Sequence, residues 1–201
     1  LHGLAPGQGL LEHARALLGW IDGVQERHPE LIIEACASGA MRMDYAMLSR
    51  LHVQSTSDQQ NPIRYATIAA AAPAAILPEQ AGNWAYPQAG MSDERRTFCL
   101  VNGVLGRMYL SGYLNRMTPQ EVAAVREAIA AHRVVLGDIR DRLPVWPLGL
   151  PAWDADWTSL GLHARGHAYV SVWRRAGDAS AGLRLPWAAG REIEVAPFFP
   201  A

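Results

Sequence analysis

The chain has 201 residues, of which half are hydrophobic, and its formal net charge is −1. A chain of this size can bury a core as one domain or a domain and a half, so intrinsic disorder is not expected. The charge balance, without a basic block, argues against nucleic acid as a partner, and no apolar run is long enough to cross a membrane.

The first part of the chain alternates between helix and strand patterns. Apolar residues recur at three- and four-residue steps over residues 9–28, which predicts an amphipathic helix closed by Pro29. Buried strands are predicted over residues 30–38 and 51–58, with a helical turn between them. A helix over residues 62–72, opened by an early proline, follows the second strand.

The middle of the chain carries weaker patterns. The segment AAILP (74–78) predicts a third strand followed by a loop over residues 79–94, and residues 95–112 fit a helix that three glycines loosen. Thr118 and Glu121 have the spacing of a capping box, which predicts the start of a long amphipathic helix.

The last part of the chain predicts antiparallel strands. A proline-rich linker over residues 141–153 precedes short segments that Gly, Asp and Ser separate. Apolar and polar residues alternate in AYVSVW and EIEV, which is typical of antiparallel strands. The predicted C-terminal segments are 159–166, 167–175, 182–187 and 191–199.

The order of these elements predicts an α/β fold whose strands all end in polar residues. Parallel α/β folds place their sites at that edge, but three strands cannot close a barrel, which usually needs about 250 residues. We therefore expect the C-terminal part of a TIM (β/α)8 barrel over residues 1–147, which carries the site, and a small antiparallel β module over residues 148–201. The start at Leu1 and the lack of a signal-like segment predict a fragment of a longer, cytoplasmic protein.

Metal and disulfide chemistry have little support in the sequence. The two cysteines, Cys36 and Cys99, lie outside any CxxC or Cys/His ligand spacing, and the seven histidines form no HxxxH or HxH pair. No metal site and no cofactor is predicted.

Two polar strand ends hold the residues with candidate chemistry. In EACASGAMRMD (34–44), the structural explanation is a strand-to-helix turn in which Arg42 pairs with Asp44 or Glu34. Asp58 has a similar explanation as a loop or capping carboxylate. Adjacent parallel strands would, however, bring both strand ends onto one rim, where a partly desolvated carboxylic acid can act as a general acid. Cys36 lacks a nearby histidine and is not expected to be a nucleophile.

The two strand ends together resemble the late barrel strands of the family 36 α-galactosidases, the melibiase family. Members carry Glu-Ser-Cys-x-Ser-Gly-Gly-Gly-Arg-x-Asp at one strand end and Thr-Ser-Asp at the next. The family consists of retaining glycosidases with a TIM barrel and a C-terminal antiparallel β domain. The resemblance implies that Asp58 is the general acid/base and that Cys36 and Gly39 line a galactose pocket, with Arg42 and Asp44 at further motif positions that bind substrate.

The resemblance also implies a function and its limits. We expect cleavage of terminal α-galactosides by double displacement, with an α-galactoside or related oligosaccharide as partner and possible homo-oligomers. Retaining enzymes need a second carboxylate about 5–5.5 Å from the first. The family's Lys-x-Asp motif has no match here, so the chain is expected to lack the nucleophile and to be inactive by itself.

Several departures from the family motifs leave alternatives open. Ala40 and Met41 replace two glycines, QQNP follows Asp58, and the loop after the third strand reads EQAGNWAYP. In that loop Trp84 and Tyr86 are candidates for stacking on a sugar ring, or for an aromatic plug under a loop. The alternatives are a non-catalytic carbohydrate-binding or structural relative, and an enzyme that transfers galactose to another sugar.

Overall fold

The computed structural model describes residues 5–200, which form five helices and two sheets. The helices are α1 (Gln8–Arg27), α2 (Tyr45–Leu48), α3 (Pro62–Ala71), α4 (Asp93–Val104) and α5 (Pro119–Leu136). The strands are β1 (Glu34–Ala35), β2 (Val53–Ser55), β3 (Ala81–Ala85), β4 (Arg107–Leu110), β5 (Leu143–Val145), β6 (Trp157–Ala164) and β7 (His167–Arg174).

The larger sheet is parallel, and its strand order β1-β2-β3-β4 follows the order of the chain. Crossovers between parallel strands are right-handed, so an order that never reverses places all the connecting helices on one side of the sheet. Barrels have this arrangement, whereas doubly wound sheets reverse their order at a switch point. The predicted α/β class with a separate antiparallel sheet is confirmed, and the four described parallel strands do not close a barrel.

Local capping explains where the connecting helices begin. The Asp44 carboxylate accepts a hydrogen bond from the Met47 N–H at 3.0 Å and caps α2. Asn61 caps α3 in the same way, with Pro62 at the first helical position. The predicted capping box is confirmed at α5, where Thr118 and Glu121 each bond to the other's backbone N–H.

The predicted third strand is wrong. Residues 72–74 form a 3-10 turn that continues α3, because consecutive alanines favour helical backbone. The actual third strand is β3, which lies in the predicted loop and is buried despite its polar Asn83. That amide is satisfied inside the fold, since its oxygen accepts a hydrogen bond from the Thr56 hydroxyl at 3.1 Å.

The ambiguous segment over residues 95–112 contains both a helix and a strand. Helix α4 ends at Val104, and β4 begins three residues later, after Gly106. A Cβ at Gly106 would lie 2.8 Å from the Ala81 carbonyl oxygen, so a larger residue would force β4 away from β3.

The C-terminal sheet is antiparallel, with the order β5-β6-β7. The hairpin of β6 and β7 confirms two of the predicted strands. The other two are wrong: residues 182–187 end in a 3-10 turn, and residues 191–199 contain no strand. The third strand of this sheet is β5, which comes from within the predicted linker and pairs with β6.

One hydrophobic core packs helices of the parallel sheet against the antiparallel sheet. It includes Ala66 and Ala70 of α3 together with Leu160, Leu162 and Trp173 of the antiparallel sheet. The predicted boundary between residues 147 and 148 stays a prediction. Across the described residues, no helix is both long enough and apolar enough to span a membrane.

Candidate functional site

The candidate site lies on the face of the parallel sheet that points away from the helices. Side chains alternate between the two faces of a strand, and Thr56 lies on the helix side because it contacts Tyr65 of α3. Ser55 and Trp84 therefore lie on the opposite face. The Trp84 indole N–H donates to the Ser55 hydroxyl at 2.9 Å, which joins β2 and β3 on that face.

Tyr109 lies on this face and interacts with Glu34. The Tyr109 ring lies over Gly82, where a Cβ would come 2.7 Å from the ring. Burial, and then the charge of the hydrogen-bonded Glu34 carboxylate, raise the pKa of Tyr109, so its hydroxyl stays a neutral donor. Because Glu34 is on β1 and Tyr109 on β4, this contact requires a strongly curved sheet.

The two predicted strand ends meet at the rim of the sheet. Gly39 has a φ of +77°, and a Cβ built on it would lie 3.0 Å from the Asp58 backbone nitrogen and 3.4 Å from the Ser57 Cα. The neighbouring Ser38 and Ala40 also have positive φ values, 46° and 72°. Only a residue without a side chain fits against the Asp58 backbone, which explains the glycine at this point of the motif.

Cys36, Asp58 and Tyr86 follow the neighbouring parallel strands β1, β2 and β3. Cys36 is an exposed free thiol and Asp58 is also exposed. Burial raises the pKa of Tyr86, and the ionisable groups of Asp58 and Cys36 add to that effect, which places all three in one neighbourhood. No described group donates a hydrogen bond to the Asp58 carboxylate.

Arg42 and Asp44 lie at the end of the same turn. Asp44 caps α2, and Arg42 is exposed. Among the described residues, no ion pair joins Arg42 to Asp44 or Glu34, so the pairing that the sequence suggested is not formed.

An aromatic cluster occupies the β3 side of the site. Trp84 stacks on Tyr86 with ring centroids 5.3 Å apart and planes 7° apart, and it meets Tyr109 edge-on at 4.9 Å. The Tyr86 backbone N–H donates to the Cys99 sulfur of α4 at 3.0 Å, which fixes the strand end against the helix. Within residues 5–200, no group of three or more His, Cys, Asp or Glu side chains is arranged to hold a metal ion.

Solved structures provide the comparison with known proteins, since no family model and no curated protein matches the sequence. The galactosidase domain of the α-galactosidase-sucrose kinase AgaSK aligns with a TM-score of 0.71 and 19% identity over 83% of this chain and 24% of that chain. The GH36 α-galactosidase AgaA from Geobacillus stearothermophilus, in a variant complex with raffinose, aligns at 0.68 and 17% identity over 82% of this chain and 24% of that chain. An α-galactosidase from Lactobacillus brevis aligns at 0.64 and 16% identity over 77% of this chain and 21% of that chain. The chain has the fold of the C-terminal portion of the GH36 α-galactosidases.

This GH36 fold confirms the resemblance seen in the sequence. One of the departures from the family motif, Ala40, can be examined in the structure. The chain spans about a quarter of the length of these solved structures. Ala40 stands where the GH36 motif has glycine, and it holds a backbone conformation that favours glycine. The turn therefore has a backbone conformation suited to glycine, although alanine occupies this position.

Proposed function

We propose that this chain is the C-terminal part of a retaining glycoside hydrolase that cleaves terminal α-galactosides. The observation that carries the proposal is the contact between Gly39 and the Asp58 backbone, which joins the two halves of the motif at the ends of neighbouring parallel strands. The likeness in fold to GH36 α-galactosidases supports it.

The mechanism assigns both proton transfers to Asp58. In the first step, Asp58 donates its proton to the glycosidic oxygen as the bond to the anomeric carbon breaks, and a carboxylate upstream of Leu1 forms the covalent glycosyl-enzyme. In the second step, Asp58 accepts a proton from water, whose oxygen bonds to the anomeric carbon and displaces the nucleophile. The exposure of Asp58 suits the second step, because the attacking water must reach this carboxylate.

The remaining rim residues are assigned to the sugar. Cys36 and Gly39 would line the galactose pocket, with Arg42 and Asp44 beside it and Trp84 in the neighbouring aromatic cluster. GH36 relatives were solved in complex with raffinose and with stachyose, so we propose galactosides of this type as the substrate class.

The test of this function is hydrolysis of melibiose by the intact natural protein that contains these residues. We expect Asp58→Asn to lower kcat roughly 10²–10⁴-fold, because an unactivated leaving group needs the general acid. The loss should be smaller on 4-nitrophenyl α-galactoside, whose leaving group needs little protonation. Asp154→Asn, at an exposed aspartate in the loop before β6, is the matched control. Wild-type rates in Asp58→Asn on melibiose would contradict the assignment.

A second candidate function is a carbohydrate-binding relative that has lost catalysis. The observation in its favour is the rim turn, where Ala40 adds a side chain and Met41 is 79% exposed in place of the glycines of the GH36 motif. A folded intact protein that binds raffinose but hydrolyses none of a panel of α-glycosides would establish this alternative.

A further inference from the structure

Tyr86 is held in place by two contacts that leave part of its side chain uncovered. One ring face stacks on Trp84, and its backbone N–H is fixed by the Cys99 sulfur. The side chain is nevertheless only half-buried, and no described group hydrogen-bonds its hydroxyl. Tyr86 follows β3, and Asp58 follows the paired strand β2 at the same edge of the sheet. A rigid aromatic ring with an unpaired hydroxyl at this place has the chemistry of a surface that contacts a polar ligand.

Trp84 is also half-buried, but it makes more contacts within the protein. Its indole N–H bonds to Ser55, its backbone N–H donates to the Tyr65 hydroxyl at 2.9 Å, and its ring contacts Tyr86 and Tyr109. Such a side chain supports a neighbouring ring better than it binds a ligand.

We propose that Tyr86 is the aromatic wall against which the leaving sugar packs, and that Trp84 is a positioning residue behind it. The inference rests on the proposed function and goes beyond it in assigning the leaving-group side. A general acid protonates the oxygen that links the two sugars, so the ring beside Asp58 lies next to the sugar that departs. One face of that sugar is lined by C–H groups, which pack on an aromatic ring, and its hydroxyls match the free Tyr86 hydroxyl.

The experiment compares Tyr86→Leu and Tyr86→Phe in the intact natural protein, with melibiose as substrate. Tyr86→Leu should raise KM about tenfold with kcat nearly unchanged, and Tyr86→Phe should show a smaller rise because the ring remains. Trp84→Leu should also raise KM, and Trp84→Phe should restore part of the loss. Tyr45→Leu removes an 80% exposed tyrosine from α2 and is the matched control.

The outcomes separate this inference from the proposed function. If wild type hydrolyses melibiose and Tyr86→Leu has the same KM, the assignment of Tyr86 to the leaving sugar is wrong and the glycosidase proposal stands. If wild type hydrolyses nothing, the glycosidase proposal fails. Raffinose binding, measured by tryptophan fluorescence, then tests whether Tyr86 contacts the sugar. Binding by wild type that Tyr86→Leu weakens would keep Tyr86 as a sugar contact. Equal binding by both, or no binding by wild type, would overturn it.

Discussion

Backbone strain in the rim turn around Gly39 affects the stability of the protein. Ala40 has a φ of +72°, a conformation that costs a residue with a Cβ roughly 1–2 kcal/mol. We expect Ala40→Gly to raise the free energy of unfolding by about 0.5–1 kcal/mol, because relief of strain outweighs the added freedom of the unfolded chain. Denaturant titration measures this. Ala37→Gly, which relieves no positive φ, should lower stability instead, and a destabilised Ala40→Gly would show that the turn is not strained.

The Tyr65 hydroxyl is a second group whose removal should change the stability of the protein. It accepts the Trp84 N–H at 2.9 Å and hydrogen-bonds to Thr56, and burial raises the pKa of Tyr65 to about 12. Tyr65→Phe would leave the Trp84 N–H without its acceptor, which costs about 1–3 kcal/mol. Thermal unfolding checks the loss, with Tyr45→Phe at the surface as the control. Equal stability of wild type and Tyr65→Phe would mean that water replaces the hydroxyl.

Residues of the site differ in how far the sequence could predict them. The contact between Gly39 and Asp58 follows from two polar strand ends on one edge of a sheet, and the motifs identify both residues. The approach of Tyr109 to Glu34 depends on the curvature of the whole sheet, which no local pattern encodes. Tyr86 lay in a segment interpreted as a loop, so its fixed stack on Trp84 was not foreseen.

At the scale of elements, the capping signal was reliable, whereas the strands were predicted only in part. The capping box of α5 depends on neighbouring residues only, and the structure contains it as predicted. Strand β3 contains Gly82 and Asn83, which are typical of loops. Their place in a strand depends on Tyr109, which packs against Gly82, and on Thr56, which donates to the Asn83 side chain. A strand so dependent on distant partners cannot be recognised from its own sequence.

Helix α5 also carries a pH-dependent contact with β4. The His132 Nδ1–H donates to the Val104 carbonyl at 3.1 Å, and its Nε2 accepts the Met108 N–H at 3.4 Å, a pattern that only the neutral ring can make. Burial is the main cause that lowers the pKa of His132, and the charge of Arg107 adds to it.

The pH dependence of stability follows from that lowered pKa. Because the unfolded state takes up the proton more readily, the contribution of His132 is complete above the unfolded pKa of about 6.5 and declines as the pH falls through it. We expect the Tm of wild type to drop more steeply between pH 7.5 and 5.5 than that of His132→Gln, which cannot titrate. Parallel Tm profiles for the two proteins would show that the ring makes no such contribution.

At the scale of the whole molecule, the shared core predicts that the two sheets unfold together. Leu160 is 1% exposed and packs in one cluster with Ala66 and Ala70 of α3. Two hydrogen bonds also connect α3 to the C-terminal part of the chain. The Trp146 indole N–H donates to the Ala70 carbonyl at 2.7 Å, and the Arg175 guanidinium donates to the Thr67 hydroxyl at 2.9 Å. Weakening this core should therefore destabilise the structure on both sides of the predicted boundary between residues 147 and 148.

Leu160→Ala tests this coupling. The truncation leaves a cavity and should cost about 2–5 kcal/mol. Hydrogen exchange followed by mass spectrometry should then show faster exchange in peptides from β3 and α3 as well as from β6 and β7, because both sheets lose the same support. Val134→Ala, at a 55% exposed position of α5, serves as the control with little expected change. Faster exchange confined to β6 and β7 would instead mean that the antiparallel module opens by itself, as a boundary at residues 147 and 148 predicts.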